Sequence, residues 1–176
     1  FTKLELVVAI FKLDSLSDLA NEEAARYSFL MGNLLYNLTC HGVYRHVLHY
    51  EETPRFAGRL AWWGWGGTSV SERYNFEHYR SGSFLVNTEL ARKYYQKALN
   101  TTRPSAEEFN AWCTFMLAKC DQVRLINEGK GPKYDNLYLN EDDRPFMVKF
   151  HEEYEGTELY KEAYERCSYL RLYSNR

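Results

Sequence analysis

Proline, cysteine and net charge are all scarce in this sequence. Its 176 residues include 4 prolines and 4 cysteines, and the formal charge at pH 7 is −2. Few prolines favour helices with few breaks, and the balanced charge excludes the basic surface that holds nucleic acids through their phosphates. The longest apolar run near the start, residues 6–11, is far shorter than the ~20 residues that cross a bilayer. We therefore expect no nucleic-acid partner and no membrane-spanning segment.

Sequence motifs of several enzyme and metal-binding classes are missing as well. The sequence has no Gly-x-Ser-x-Gly elbow, no Rossmann glycine pattern, no kinase signature and no His-Glu-x-x-His motif. Cys40, Cys113, Cys120 and Cys167 form no Cys-x-x-Cys pair. Because Cys113 and Cys120 share one face of an apolar helical pattern, we interpret them as small core residues. We expect a non-catalytic protein without a cofactor.

The chain begins at Phe1 rather than at a methionine, and no signal-peptide pattern follows. This start predicts a processed chain or a piece of a longer protein. The length is typical of one domain, so we expect a single helical domain over residues 1–176.

Aromatic residues are abundant, at 16% of the chain. Apolar residues recur at helical spacing over most of the sequence, and no useful strand-like alternation appears outside residues 43–87. The pattern predicts helices at about residues 3–13, from Asn21 to Gly42, from Thr88 to about 100, from Ser105 to about 125, at 145–154 and at 157–173. A polar run at residues 14–18 is expected to end the first of these helices. The predicted fold class is all-α.

Several local signals refine this prediction. Asn21 and Thr88 are predicted N-caps, and Ser105 with Glu108 has the spacing of a capping box. Gly32 lies in the middle of a predicted helix, where glycine costs about 1 kcal/mol relative to alanine. We therefore expect another helix to approach closely at Gly32.

Two helical segments resemble parts of a tetratricopeptide repeat. Residues 31–38 (MGNLLYNL) resemble the Leu-Gly-Asn-x-x-Tyr stretch of helix A. Residues 91–99 resemble helix B, with alanine, aromatic and alanine residues at its 1, 5 and 8 spacing, and Pro104 stands near the position of the repeat-ending proline. The resemblance implies antiparallel helix pairs in an αα superhelix. Ala118 and Ala163 occupy the small positions of further, degenerate helices.

The spacing between these segments departs from the family. Gly32 and Ala91 are 59 residues apart, where a 34-residue repeat separates the matching positions by about 12. We expect a long, irregular, aromatic and glycine-rich insertion at about residues 43–87.

The combination resembles exported bacterial proteins with divergent tetratricopeptide repeats and no assigned role and, more distantly, SusD-like glycan-binding lipoproteins. The resemblance implies a protein-interaction or scaffold function, with another protein as partner and the cell envelope as location. Carbohydrate or small-ligand binding of the SusD-like type is the alternative.

The insertion supplies the candidate binding residues. Trp62, Trp63 and Trp65 are interleaved with glycines that could turn the backbone and present the indole rings. Together with Tyr44 and Tyr50 they are predicted to contact a partner or ligand. The other interpretation is that these rings pack on the helices and hold the insertion in place.

Histidines give a weaker signal. His41, His46 and His49 cluster in sequence, and His46 and His49 would share a helical face that could grip a metal ion. Polar packing or exposure to solvent is the interpretation that we favour, so no metal is predicted. His78 and His151 are expected to be surface groups.

Overall fold

The periodic apolar residues form six α-helices, and no strand, in the part of the chain that the structure describes. This computed structural model describes residues 2–19, 21, 23–39, 88–103, 105–128, 143–166 and 170–171. The helices are α1 (Lys3–Ser17), α2 (Glu23–Leu38), α3 (Glu89–Thr101), α4 (Glu107–Asn127), α5 (Pro145–Tyr154) and α6 (Glu158–Arg166). The all-α prediction is confirmed, whereas the predicted insertion at 43–87 lies outside the described residues.

Helices α1 to α5 each pack mainly on the helices that precede and follow them in the chain. The α2–α3 contact is the most extensive, followed by α1–α2, α4–α5 and α3–α4, and α6 packs on α4 and α5. Gly32 of α2 lies against Tyr95 in the middle of α3, and the first turns of α2 lie beside the last turn of α3 across a groove. These two helices therefore run antiparallel.

Close approach at Gly32, predicted from its mid-helix position, is confirmed. A Cβ atom on Gly32 would lie 2.7 Å from both Cδ1 and Cε1 of the Tyr95 ring. Tyr95 is fully buried, and its hydroxyl donates to Asn33 Oδ1 at 2.8 Å. The missing side chain of Gly32 makes the space that the Tyr95 ring occupies.

Two apolar cores share helix α4. The first joins α2, α3 and α4 through Met31, Leu35, Tyr36, Ala91, Tyr95, Met116, Leu117 and Cys120. The second joins α4, α5, α6 and a residue beyond α6 through Ala111, Ala118, Met147, Phe150, Tyr154, Leu159, Tyr160, Ala163 and Leu170. Phe115 and Phe146 pack against both, so the two halves are one continuous packed body.

Helix α1 is longer than predicted: it ends at Ser17, within the polar run at 14–18, so the predicted end at about residue 13 is wrong. Two serine hydroxyls bond back to carbonyls of the helix. Ser15 Oγ donates to Phe11 O at 3.0 Å, and Ser17 Oγ donates to Asp14 O at 2.8 Å. Hydroxyls that bond in this way are compatible with a helix interior.

The N-cap predictions have mixed outcomes. Asn21 caps α2 as predicted, since its Oδ1 accepts from Ala24 N at 3.2 Å. Thr88 occupies the N-cap position of α3 but makes no side-chain cap bond. Its hydroxyl donates instead to Cys120 O of α4, at 3.4 Å. Tertiary packing thus uses a hydroxyl that local sequence assigned to a cap.

The capping box predicted at Ser105 is wrong. Helix α4 begins at Glu107, and the Glu108 carboxylate accepts from the backbone N–H groups of Glu158, at 3.2 Å, and Leu159, at 2.8 Å. The first N–H groups of a helix lack partners within that helix. Glu108 therefore caps α6, fifty residues further along the chain, instead of its own helix.

One histidine differs in exposure from its sequence-based expectation. His151, expected at the surface, is half-buried. Its Nδ1 lies 2.6 Å from the Tyr160 hydroxyl, and the two rings stack.

Candidate functional site

The binding residues predicted from sequence lie outside the described residues. They are Tyr44, Tyr50, Trp62, Trp63 and Trp65. The histidines His41, His46 and His49 also lie outside the described residues. Their roles stay predictions. The site described below comes from residues that the sequence did not single out.

An open groove lies between α2 and the junction of α3 with α4, and we call it the α2–α4 groove. Its volume is about 710 Å³. It is lined by Ala25, Arg26, Phe29, Leu30, Thr101, Thr102, Arg103, Ser105, Ala106 and Phe109. Three elements that are distant in sequence therefore form one concave surface.

Aromatic rings form the floor of the α2–α4 groove. Phe29 of α2 and Phe109 of α4 meet edge to face, with ring centroids 5.4 Å apart. Phe29 also contacts the buried Tyr95, at 5.6 Å between centroids, so the core fixes the position of the floor. Leu30 beside them is 42% exposed, which leaves apolar surface available to a bound group.

Positive charge lines the rim. Arg26 and Arg103 are the only charged side chains among the described residues that line the groove, and both are exposed. The turn that carries Arg103 is fixed by its carbonyl oxygen, which accepts from Ala106 N at 3.0 Å and Asn110 Nδ2 at 3.1 Å. The start of α4 lies at the same rim, where Glu107 and Glu108 of its first turn offset the partial positive charge of the helix N-terminus.

An apolar floor with a cationic rim suits a segment that carries an apolar anchor next to a carboxylate or another anion. One signal of this site is visible in sequence, since Arg26, Phe29 and Leu30 share a face of α2 by their spacing. Nothing local indicates that Arg103 and Phe109 lie opposite, because the packing of α2 on α3 and α4 brings them there.

A second electrostatic feature lies between α3 and α4. Asp121 has a side chain only 2% exposed, with Arg92 Nη2 at 3.3 Å and Arg124 Nε at 3.8 Å from its Oδ1. Among the described residues, no hydrogen bond reaches either carboxylate oxygen. Burial raises the pKa of the Asp121 carboxyl above its ordinary value, while Arg92, Arg124 and Arg144 oppose the rise and Glu89 adds to it.

The raised pKa of Asp121 makes the free energy of unfolding depend on pH. Between the ordinary aspartate pKa of about 3.9 and its raised value, the folded state binds more protons than the unfolded state. The Asp121 contribution is thus fully present below about pH 3.9 and is lost as pH rises through the folded pKa. We expect Asp121→Asn to remove this loss, so that the wild type gains stability relative to the variant as pH falls through the folded-state pKa of Asp121.

Urea unfolding of both proteins from about pH 3 to pH 8 measures this difference. The exposed ion pair Lys149–Glu153 offers a matched control, because Glu153→Gln removes a carboxylate that is not buried. Stability curves of the wild type and Asp121→Asn that stay parallel across the range would contradict the prediction.

The two described cysteines are core residues, as predicted. Cys113 and Cys120 are free and buried, and burial raises the pKa of each thiol to about 12. Both are therefore protonated near neutral pH, a state that suits neither a nucleophile nor a metal ligand. Cys40 and Cys167 lie outside the described residues.

Two searches of the described part of the chain are negative. It contains no group of three or more His, Cys, Asp or Glu side chains placed to hold a metal ion. None of its helices is both long and apolar enough to cross a membrane.

Comparison of the chain with protein families, with curated proteins and with solved structures finds no match.

Proposed function

We propose that this protein is a non-catalytic protein-interaction module of the tetratricopeptide-like type, and that the α2–α4 groove is its docking surface. The observation that carries the proposal is the groove itself: a fixed aromatic floor, an exposed leucine and, among the described lining residues, two arginines as the charged side chains. The partner is a protein segment that presents an apolar side chain beside an acidic one.

Helix packing supports the repeat-like part of this proposal. The antiparallel α2–α3 pair has Gly32 beneath Tyr95, and Ala91 and Ala98 are buried on the same face of α3. Helices α4 and α5 pack as a second extensive pair, with Ala118 buried between them. Small residues at such contacts allow helix axes to approach, which is the packing principle of helical repeats.

The described helices do not account for the whole proposed binding surface. The aromatic insertion is its second part, with Trp62, Trp63 and Trp65 as contact residues. Tryptophan is enriched among the residues that dominate interface energetics. In this proposal the insertion supplies additional apolar contacts to the same partner.

Peptides selected by phage display on the immobilised chain test the proposal. We expect the selected peptides to carry Asp or Glu within a few residues of an aromatic or aliphatic side chain. Binding of a synthetic selected peptide, measured by fluorescence anisotropy, should weaken tenfold or more in the double variant Arg26→Glu with Arg103→Glu, because both rim charges are reversed. Affinity for the wild type should also fall as salt is raised.

Matched variants separate the groove from general charge or surface effects. Lys161→Glu with Arg166→Glu makes the same charge change on α6, where both cations are exposed, and should leave the affinity unchanged. Leu30→Ser should weaken binding about threefold, while Leu90→Ser, at a position of similar exposure on α3, should not. Selected peptides that bind all these variants equally would refute the assignment of the groove.

A further inference from the structure

Helix α1 carries an exposed apolar stripe, formed by Leu4, Val7, Val8 and Phe11. These side chains are 72%, 45%, 56% and 68% exposed, respectively. Their spacing places them on one face over two helical turns. A stripe of this kind is unusual on a free surface, where large apolar side chains are normally scattered singly.

The opposite side of α1 is already used by the fold. Leu6 is buried there, and Ile10 and Leu13 pack on the core that α2, α3 and α4 share. Three polar contacts join the end of α1 to α3: Tyr94 donates to Asp14, and Lys97 donates to Ser17 and pairs with Asp18. These contacts fix the orientation of α1, and the stripe faces away from the described helices.

The stripe is self-complementary when two copies of α1 lie antiparallel. A two-fold axis that passes between positions 7 and 8 sets Leu4 of one copy opposite Phe11 of the other, and Val7 opposite Val8. The leucine–phenylalanine pairs then lie at the two ends of the contact and the smaller valine pairs lie at its centre, where the helix axes can approach most closely. A two-fold axis of this kind gives a closed dimer from one surface.

The charges beside the stripe favour the same arrangement. Glu5 and Lys12 are both exposed and lie on one flank of the stripe, seven residues apart. Antiparallel packing brings the same flank of each helix together, so Glu5 of each copy lies beside Lys12 of the other. Parallel packing would bring opposite flanks together and lose both pairs.

We propose that the exposed stripe of α1 is a homodimer interface, in which two copies of this chain pack α1 antiparallel and form two Glu5–Lys12 ion pairs across the axis. The four side chains and their charged flank bury on the order of 1,000 Å² in total, at the lower end for specific interfaces. The dimer is therefore weak and concentration-dependent, with a dissociation constant of about 10 µM to 1 mM.

Sedimentation equilibrium of the chain from about 1 µM to about 1 mM tests the proposal. We expect the wild type to pass from monomer to dimer over this range. Val8→Glu places two like charges at the axis and should weaken the dimer at least tenfold. Leu90→Glu, at a residue of similar exposure on α3, should leave it unchanged, and circular dichroism should show the same helix content in both variants.

A double-mutant cycle tests the antiparallel ion pairs. Glu5 Oε2 also accepts from Thr2 N in the cap of α1, at 2.7 Å, so Glu5→Gln is chosen because glutamine keeps a capping oxygen. Glu5→Gln and Lys12→Gln should each weaken the dimer about threefold, and the two together should weaken it no further.

Three results would overturn the proposal. The first is a wild type that stays monomeric to the highest concentration, which assigns the stripe to a different partner. The second is a dimer that Val8→Glu and Leu90→Glu affect equally, which places the interface elsewhere. The third is a cycle in which the two glutamine substitutions add, which rules out the antiparallel pairs. Peptide binding in the α2–α4 groove does not depend on any of these results, so the two proposals fail separately.

Discussion

Phe150→Ala should lower the free energy of unfolding by about 3–5 kcal/mol, as expected for an aromatic ring removed from a core. Phe150 is fully buried and contacts the rings of Phe115, Tyr154 and Tyr160, at centroid distances of 5.1, 6.4 and 5.2 Å. The substitution loses apolar contact and leaves a cavity among rings that cannot collapse together. Because α4, α5 and α6 all line that cavity, their packing is weakened as a unit.

Urea and thermal unfolding followed by circular dichroism measure this loss. For a chain of this length the expected fall in Tm is on the order of 10 °C. Trp112→Ala is the control. It also removes a large aromatic ring, from α4, but the site is 40% exposed, so the free energy of unfolding should fall much less. Equal losses for the two variants would show that Phe150 is not central to the second core.

Gly32→Ala should destabilise the protein, although alanine is the better helix former by about 1 kcal/mol. The added methyl group would lie 2.7 Å from two ring carbons of Tyr95, a distance that forces the ring or the helix to move. The ring is buried and held by its hydrogen bond to Asn33. We expect an overpacking cost that exceeds the helix propensity and leaves a net loss of about 1–2 kcal/mol.

The physical cause can be isolated by removing the ring. In a Tyr95→Ala background the steric conflict disappears, so Gly32→Ala should become stabilising, by up to about 1 kcal/mol. Gly156→Ala is the control, because a Cβ there meets nothing within 4 Å, and its effect should be near zero. A Gly32→Ala substitution that stabilises the intact protein would contradict the close packing of α2 on α3.

Local patterns in the sequence were sufficient to predict much of the helical structure. The apolar spacing in α3 predicted one face of Ala91, Tyr94, Tyr95, Ala98 and Leu99; Ala91, Tyr95 and Ala98 are buried, and Tyr94 and Leu99 are half-buried. Asn21 was correctly predicted as a cap. These features depend on backbone hydrogen bonds and side-chain periodicity within a few residues. Such short-range interactions can be recognised from neighbouring positions in the sequence.

Predictions failed where a polar group finds its partner in another helix. Glu108 has capping-box spacing but accepts from the first N–H groups of α6, and the Thr88 hydroxyl donates to α4. His151 was expected at the surface because acidic residues follow it, yet it stacks on Tyr160. Each of these side chains has a local partner available, and the packing of helices offers a second one that short-range patterns do not reveal.

Sequence alone determined the helical class of this protein and the close contact at Gly32, because a glycine in mid-helix has a cost that only a packed neighbour offsets. Tertiary structure alone decided the surfaces. Arg26 and Arg103 share a groove because α2 packs antiparallel on α3. The apolar stripe of α1 is exposed because the opposite side, with Leu6, faces the core. An apolar helical face can pack in the core or bind a partner, and the position of the other helices determines which of the two it does.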